Sequence, residues 1–163
     1  MMRRAVVMAL SLLCLFAGTA QARPAISPFS TDSLDKIVSA HKGRPFVLFV
    51  WSLDCVFCKA SISELARHQQ KAPRFEVVTV ATDAAVDPDI QAQLTRRLQA
   101  AGLGSTNWAY GEAPSEQLNY AIDPKWHGEL PRSYWYDGQG KRVAYSGVLT
   151  SQMLAKLSAQ SRN

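Results

Sequence analysis

Residues 46–58 have the sequence FVLFVWSLDCVFC, in which an uninterrupted apolar run is followed by two closely spaced cysteines. The run Phe46–Trp51 does not alternate with polar residues, and this pattern predicts a strand whose sheet is covered on both faces. Beyond the polar turn, apolar side chains recur at Cys58, Ile62 and Leu65, a spacing that predicts an amphipathic helix. The two cysteines therefore lie where a buried central strand passes into a helix.

Two thiols at the start of a helix have a chemical use. The unpaired N–H groups and the positive end of the helix dipole favour a thiolate at the N-terminal cysteine, so Cys55 is the candidate nucleophile. Cys58 lies one turn further along, near enough to form a disulfide with Cys55 and directed toward the sheet. It is the candidate resolving thiol, which attacks a mixed disulfide and frees the product. Lys59 favours the thiolate and Asp54 opposes it, and the sequence does not decide between them.

The rest of the chain alternates helices and strands. In chain order it predicts a helix capped by residues 30–32 and ending before Gly43, a strand at 75–81, a helix from Asp87 to Gly102, a short strand at 107–110, a short helix at 116–121, a hairpin of strands 132–136 and 141–145, and a last helix capped by Thr150. This order predicts an α/β fold with a central sheet covered on both faces. No repeat or long linker divides the sequence, so we expect one domain.

Residues 1–22 have the layout of a cleaved signal peptide. Two arginines at positions 3 and 4 precede an apolar run at residues 5–18, and Ala20-Gln21-Ala22 follows it. The apolar run is well short of the roughly 20 residues that a membrane-spanning helix needs. We therefore expect cleavage after Ala22 and one mature domain at residues 23–163.

Cleavage lowers the formal net charge from +5 to +3, because it removes two arginines and no acidic residue. A charge this mild, without a basic block, argues against nucleic acid as a partner. Of the three cysteines, Cys14 lies in the leader and is lost on cleavage after Ala22, unless it is a lipidation site. The mature chain keeps Cys55 and Cys58, and in an exported protein a disulfide between them can persist.

The apolar strand, the Cys-x-x-Cys pair at the helix start and Leu130-Pro131 before the hairpin together resemble the thioredoxin fold. The leader and the extra strand-helix material between residues 84 and 121 make the chain most similar to the TlpA/ResA-like thiol-disulfide oxidoreductases of the bacterial periplasm. The resemblance covers roughly residues 30–158. It implies a central mixed β-sheet flanked by helices on both faces, with a TlpA-type strand-helix insertion.

The resemblance also implies roles for individual residues. In that family a cis-proline precedes the last two strands and faces the disulfide, and Pro131 matches its position. Leu130 then offers backbone hydrogen bonds to an extended substrate. Independently of the resemblance, Trp51 and Trp126 are expected to border the thiols, and Trp51 is expected to contact the substrate beside the catalytic cysteine pair. No cofactor and no metal are expected.

The activity implied by the resemblance is the reduction of protein disulfides in the periplasm. Its partners are proteins with cysteine thiols or disulfides, with client cysteines in cytochrome c maturation or oxidase assembly. A membrane or periplasmic electron donor would recharge the cysteine pair.

Three departures from the thioredoxin pattern bear on the reduction potential. Asp54 replaces the tryptophan that usually precedes the first cysteine, and the dipeptide Val56-Phe57 lacks the common proline. Phe49 stands where thioredoxin has a buried acid, and Asp83 at the end of the next predicted strand is the substitute candidate. Because such details set the potential, the direction of electron flow is open from sequence alone.

Four other interpretations are open at this point. The protein could be a disulfide oxidant or isomerase, and the pair could be a structural disulfide, although so short a loop constrains the unfolded chain little. The thiols could also bind copper(I) or zinc together with a histidine, as in a metallochaperone. His41, His68 and His127 show no ligand spacing, and His127 is the first candidate because it lies four residues before Pro131. The fourth interpretation is a redox-inert interaction domain.

Overall fold

The computed structural model describes residues 26–71, 75–104 and 106–160. The predicted leader, residues 1–22, lies outside these ranges, and its cleavage stays a prediction. In chain order the elements are β1 (Ser27–Phe29), α1 (Ser33–Ala40), β2 (Phe46–Trp51), α2 (Val56–Lys71), β3 (Glu76–Ala84), α3 (Pro88–Ala101), β4 (Thr106–Tyr110), α4 (Ser115–Ile122), β5 (Arg132–Tyr136), β6 (Arg142–Ser146) and α5 (Ser151–Gln160). None of these helices has the length and apolar character needed to cross a bilayer.

The described strands form one sheet in the order β1-β4-β3-β2-β5-β6. The first four neighbours in that order run parallel, whereas β5 is antiparallel to β2 and β6 is antiparallel to β5. The predicted mixed sheet is confirmed. The strand-helix material between residues 84 and 121 adds β4 between β3 and β1, and its assignment as a TlpA-type insertion stays a prediction.

The central strand β2 spans Phe46–Trp51, as predicted, and all of its residues are buried. Successive side chains of a strand point to opposite faces of the sheet. The odd-numbered side chains of β2 pack with α2, α3 and α5, and the even-numbered ones pack with α1 and α4. Helices therefore cover both faces, which explains why β2 has no polar position.

The capping residues predicted for α3 and the turn predicted for the hairpin are confirmed. The Asp87 carboxylate accepts the backbone N–H of Ile90 at 3.2 Å, and α3 ends at Gly102 with φ of 78°. In the turn between β5 and β6, the Asp137 carboxylate accepts the N–H of Lys141 at 2.9 Å. These turns and caps are local, so the sequence pattern suffices to predict them.

The cap predicted for α1 is wrong. The side chain of Asp32 makes no capping hydrogen bond to the helix. Its carboxylate instead accepts the Ser30 hydroxyl at 2.6 Å and pairs with the Lys36 ammonium at 2.7 Å. Those partners compete with the free N–H groups of the first turn for the same oxygens.

Strand β3 is longer than predicted. The polar residues Thr82 and Asp83 predicted an end at Ala81, whereas the strand continues to Ala84. Its register against β4 shifts between Ala81 and Ala84, which marks an irregularity in the ladder. Neighbouring β4 supplies the pairing partner for this extension, and a single-strand pattern does not reveal such a partner.

Candidate active site

The cysteine pair lies at the carboxyl end of β2, where α2 begins. Cys55 directly precedes α2 and Cys58 occupies its first turn, and the two are joined in a disulfide with Cα atoms 5.2 Å apart. Cys55 is half-buried and Cys58 is fully buried. The burial of Cys58 agrees with the prediction that its side chain is directed toward the sheet.

The helix start supplies a hydrogen bond to the outer sulfur. The backbone N–H of Cys58 donates to the Sγ of Cys55 at 3.1 Å. The N–H of Cys55 in turn donates to the carbonyl of Ser52 at 3.3 Å. This hydrogen bond closes the turn that leads from the loop into α2. A donor aimed at the sulfur stabilises a thiolate there when the disulfide is reduced, so this hydrogen bond favours Cys55 as the nucleophile.

The peptide bond between Leu130 and Pro131 is cis, as the resemblance implied. Leu130 packs against both hydrophobic cores, and Cys55 and Cys58 lie in or against one of them. The carbonyl of Pro131 accepts the N–H of Gly147 at 3.0 Å. Within the described part of the chain, the N–H and C=O of Leu130 have no hydrogen-bond partner. Leu130 itself is partly exposed, and its pairing with a substrate strand stays a prediction.

Several solved structures share this architecture at low sequence identity. A secreted disulfide oxidoreductase of Mycobacterium tuberculosis, homologous to E. coli DsbE, is 18% identical, with 75% of this chain and 85% of that chain covered and a TM-score of 0.57. An exposed lipoprotein thioredoxin of Streptococcus pneumoniae is 21% identical, with coverage of 76% and 89% and a TM-score of 0.53. A thiol:disulfide interchange protein of Chlorobium tepidum is 15% identical, with coverage of 87% and 99% and a TM-score of 0.56. This chain has the thioredoxin fold. No family model and no curated protein sequence matches it.

In this thioredoxin fold, Asp83 lies beside the loop that leads to the cysteines. Its carboxylate accepts the N–H of Leu53 at 3.0 Å. Parallel pairing of Trp51 with Ala81 brings the ends of β2 and β3 together and so makes this contact possible. Burial raises the pKa of Asp83, and the negative charge of Asp54 adds to the rise, although the hydrogen bond from Leu53 acts against it. The contact of Asp83 is thus with the loop backbone, and its role as proton acceptor for Cys58 stays a prediction.

Asp83→Asn is expected to stabilise the protein at neutral pH. Because the carboxyl pKa is raised on folding, the folded state binds the proton more tightly, and stability falls as pH rises from the unfolded value of 3.8 through the folded one. Asparagine keeps an acceptor for Leu53 without a buried charge. Urea unfolding at pH 7 and below pH 3.8 should show a difference between variant and wild type at pH 7 alone.

The control for this prediction is Glu112→Gln, which removes an exposed charge and should leave stability unchanged at both pH values. An Asp83→Asn protein that is less stable than wild type at pH 7 would mean that Leu53 needs a charged acceptor.

Trp51 does not fit the substrate-contacting role expected for it. Its side chain is fully buried and belongs to the core between the sheet and α2. Trp51 lies two residues after Phe49 in the central strand, so both side chains point to the same face of the sheet and into that core. Trp126, the other tryptophan expected near the thiols, is also buried, and its indole N–H donates to the carbonyl of Glu129 at 2.9 Å.

The exposed apolar surface at the site comes from the dipeptide between the cysteines. Val56 is 82% exposed and Phe57 is 65% exposed, although both are large apolar side chains. The sequence drew attention to them only as a departure from the thioredoxin pattern. Their position one and two residues after Cys55 adds exposed apolar area beside that half-buried cysteine.

The three histidines do not gather at the thiols. His41 is buried at the opposite end of the sheet, with Nδ1 2.7 Å from the carbonyl of Ile37 and Nε2 3.3 Å from the Glu76 carboxylate. The His68 ring stacks on Phe75 at a centroid distance of 4.6 Å, and His127 is exposed. Across residues 26–71, 75–104 and 106–160, no three potential ligands are grouped to hold a metal ion.

Proposed function

We propose that the protein is an exported thiol-disulfide oxidoreductase that reduces disulfides of client proteins through Cys55 and Cys58. The observation that carries the proposal is the asymmetry of the pair. Cys55 is half-buried and its Sγ accepts an N–H from the first turn of α2, whereas Cys58 is fully buried. A disulfide with only a structural role does not require one half-buried and one buried cysteine. A disulfide that closes so short a loop also adds little to the stability of the fold.

The first half of the proposed reaction uses Cys55. Its thiolate attacks one sulfur of the client disulfide, so the bond from Cys55 to the client forms as the client S–S bond breaks. The departing client sulfur leaves as a thiolate and takes a proton from solvent. The N–H of Cys58, 3.1 Å from the Sγ of Cys55 in the oxidised form, favours the attacking thiolate.

The second half of the reaction uses Cys58. This thiol loses its proton and attacks the Sγ of Cys55, the disulfide of the pair forms, and the second client sulfur departs and is protonated. Two electrons and two protons thus pass from the dithiol to the client. The pair is left oxidised, the form that the structure contains, and a membrane or periplasmic dithiol donor must reduce it for another cycle.

Client docking is assigned to two features that flank the pair. The free N–H and C=O of Leu130 would pair with an extended client backbone, as an added strand does at a sheet edge. The exposed side chains of Val56 and Phe57 would pack on apolar side chains near the client cysteine. Trp51 has no part in docking because it is buried.

Export and the choice of client are parts of the same proposal. The layout of residues 1–22 supports export, and so do structural neighbours that include a secreted disulfide oxidoreductase and an exposed lipoprotein thioredoxin. In the periplasm, the clients proposed from the TlpA/ResA resemblance are the cysteines of proteins in cytochrome c maturation or oxidase assembly.

The reduction potential of the Cys55–Cys58 pair tests the direction of electron flow. Asp54 directly precedes Cys55, and the Asp83 carboxylate accepts the N–H of Leu53 two residues before that cysteine. Negative charge on this loop disfavours the thiolate and hence the reduced form. We expect a value near the thioredoxin potential of about −270 mV rather than the oxidant value of about −120 mV. The mature protein would be equilibrated with defined thiol-disulfide buffers.

Asp54→Asn serves as the matched variant for the titration, because it removes one of these charges and should raise the potential. A wild-type value close to about −120 mV would assign the protein as an oxidant of client thiols instead.

A further inference from the structure

A largely buried arginine lies directly after the cis-proline. The side chain of Arg132 is 14% exposed and that of Asp123 is 11% exposed, and the Arg132 guanidinium is 3.3 Å from a carboxylate oxygen of Asp123. The same guanidinium is 3.3 Å from the carboxylate of Glu129 and donates to the hydroxyl of Ser146 at 2.6 Å. Three side chains from different parts of the chain therefore hold Arg132 in place.

A second arginine completes the group. Arg142 lies 3.4 Å from the other carboxylate oxygen of Asp123 and donates to the carbonyl of Ile122 at 2.8 Å. The guanidinium carbons of Arg132 and Arg142 are each 4.9 Å from the centre of the buried Tyr134 ring, within the range of a cation–π contact. We call Asp123, Glu129, Arg132, Tyr134 and Arg142 the arginine cluster.

The carboxylates of the arginine cluster are held in their charged form. Burial acts to raise the pKa of Asp123, but the hydrogen bond from the Lys125 N–H, the charge of Arg142 and the hydrogen bonds from Tyr134 and Arg132 outweigh it and lower the pKa. The pKa of Glu129 is lowered as well, because hydrogen bonds from its own backbone N–H and from Ser146 outweigh burial. Both carboxylates therefore stay ionised at neutral pH.

The same two carboxylate residues shape the loop that ends at the cis-proline. The carbonyl of Asp123 accepts the N–H of Trp126 at 2.9 Å, and the Glu129 carboxylate accepts the N–H of His127 at 3.3 Å. The carbonyl of Glu129 accepts the indole N–H of Trp126 at 2.9 Å. Residues 123–129 are thus folded around the groups that hold Arg132.

Stability alone does not account for such a group. Taking charges out of water offsets most of their mutual attraction, so a buried ion pair is often no more stable than apolar residues of the same volume. What a set of directed contacts does supply is one conformation of the backbone that carries it. Here that backbone includes Leu130, whose N–H and C=O have no partner in the described chain.

We propose that the arginine cluster is a positioning device for client docking, in which Asp123 and Arg132 hold the Leu130 peptide in the orientation that pairs with an extended client. The inference rests on the proposed function. Asp123 and Arg132 are positioning residues, because they act on the client only through the backbone of Leu130 and Pro131.

The test compares two disulfide substrates with the same leaving group. One is the Ellman reagent, which has no peptide backbone, and the other is a short extended peptide whose cysteine is joined to thionitrobenzoate. Attack by Cys55 on either releases coloured thionitrobenzoate, and Cys58 then displaces the bound group from Cys55. The ratio of the two rate constants isolates the contribution of backbone docking from the reactivity of the thiol.

Asp123→Asn and Arg132→Lys are expected to lower the rate with the peptide by about tenfold while the rate with the Ellman reagent stays within about twofold, since docking geometry alone is altered. The reduction potential should be unchanged. The control Arg96→Gln removes an arginine charge from an exposed position on α3 and should change neither rate. Glu129→Gln, at a half-exposed carboxylate, gives a third variant if Asp123→Asn does not fold.

Each outcome decides the matter. A selective loss with the peptide in any folded cluster variant supports the inference. Equal losses with both substrates, or an unchanged rate with the peptide, overturn it. If reduced wild-type protein releases thionitrobenzoate from neither substrate, the proposed oxidoreductase function fails instead.

Discussion

Cys58→Ser is expected to convert a transient mixed disulfide into a stable covalent complex between Cys55 and a client protein. The variant keeps the nucleophile and loses only the thiol that resolves the intermediate. Reduction of a disulfide client should stop after one client per protein molecule. The complex would be detected on a non-reducing gel after the free thiols are alkylated, and its junction at Cys55 identified by mass spectrometry.

The matched control is Cys55→Ser, which should trap no client because the remaining thiol, Cys58, is fully buried. Dithiothreitol should release the client from the Cys58→Ser complex, as it does from any disulfide. Equal trapping by both variants would contradict the assigned roles, and the absence of any trapped client would count against exchange chemistry altogether.

Phe49→Ala is expected to cost about 3–5 kcal/mol of the free energy of unfolding, the range measured for large buried aromatic side chains. Phe49 is fully buried in the core between β2 and the helices on that face, where its removal leaves a cavity. Since domains of this size are stable by about 5–15 kcal/mol, the loss is a large fraction of the total free energy of unfolding. Urea denaturation followed by far-ultraviolet circular dichroism measures the loss.

Phe57→Ala makes the same chemical change at a side chain that is 65% exposed. Its effect on stability should stay within about 0.5 kcal/mol, as is usual at the surface. Similar losses in the two variants would mean that Phe57 packs against the folded chain and is not available to a client.

Much of the fold could be predicted because its signals are local. The strand Phe46–Trp51 was predicted with its observed bounds, since an apolar run between a helix and a turn has few alternatives. The N-cap at Asp87 and the C-cap at Gly102 depend on side chains within a few residues of each other. The end of β3 was missed at Ala84 because its extension depends on a strand that lies far away in sequence.

Only part of the site could be predicted, for the same reason. The burial of Cys58 and the accessibility of Cys55 follow from their places in one helical turn. Trp51 was assigned to the substrate from its nearness in sequence, but the strand directs its side chain into the core. Exposed Phe57 has the composition of a core residue, and only the packed structure shows that nothing covers it.

The sequence by itself determined the central strand, the helix that starts at Cys55, and the division of roles between Cys55 and Cys58. Each of these depends on contacts within one strand or one helical turn. Only the tertiary structure decided that the Asp83 carboxylate meets the loop before the cysteines and that Asp123 meets Arg132 beside the cis-proline. These contacts depend on the strand register and on the path of the loops. They join residues that no local sequence pattern relates to one another.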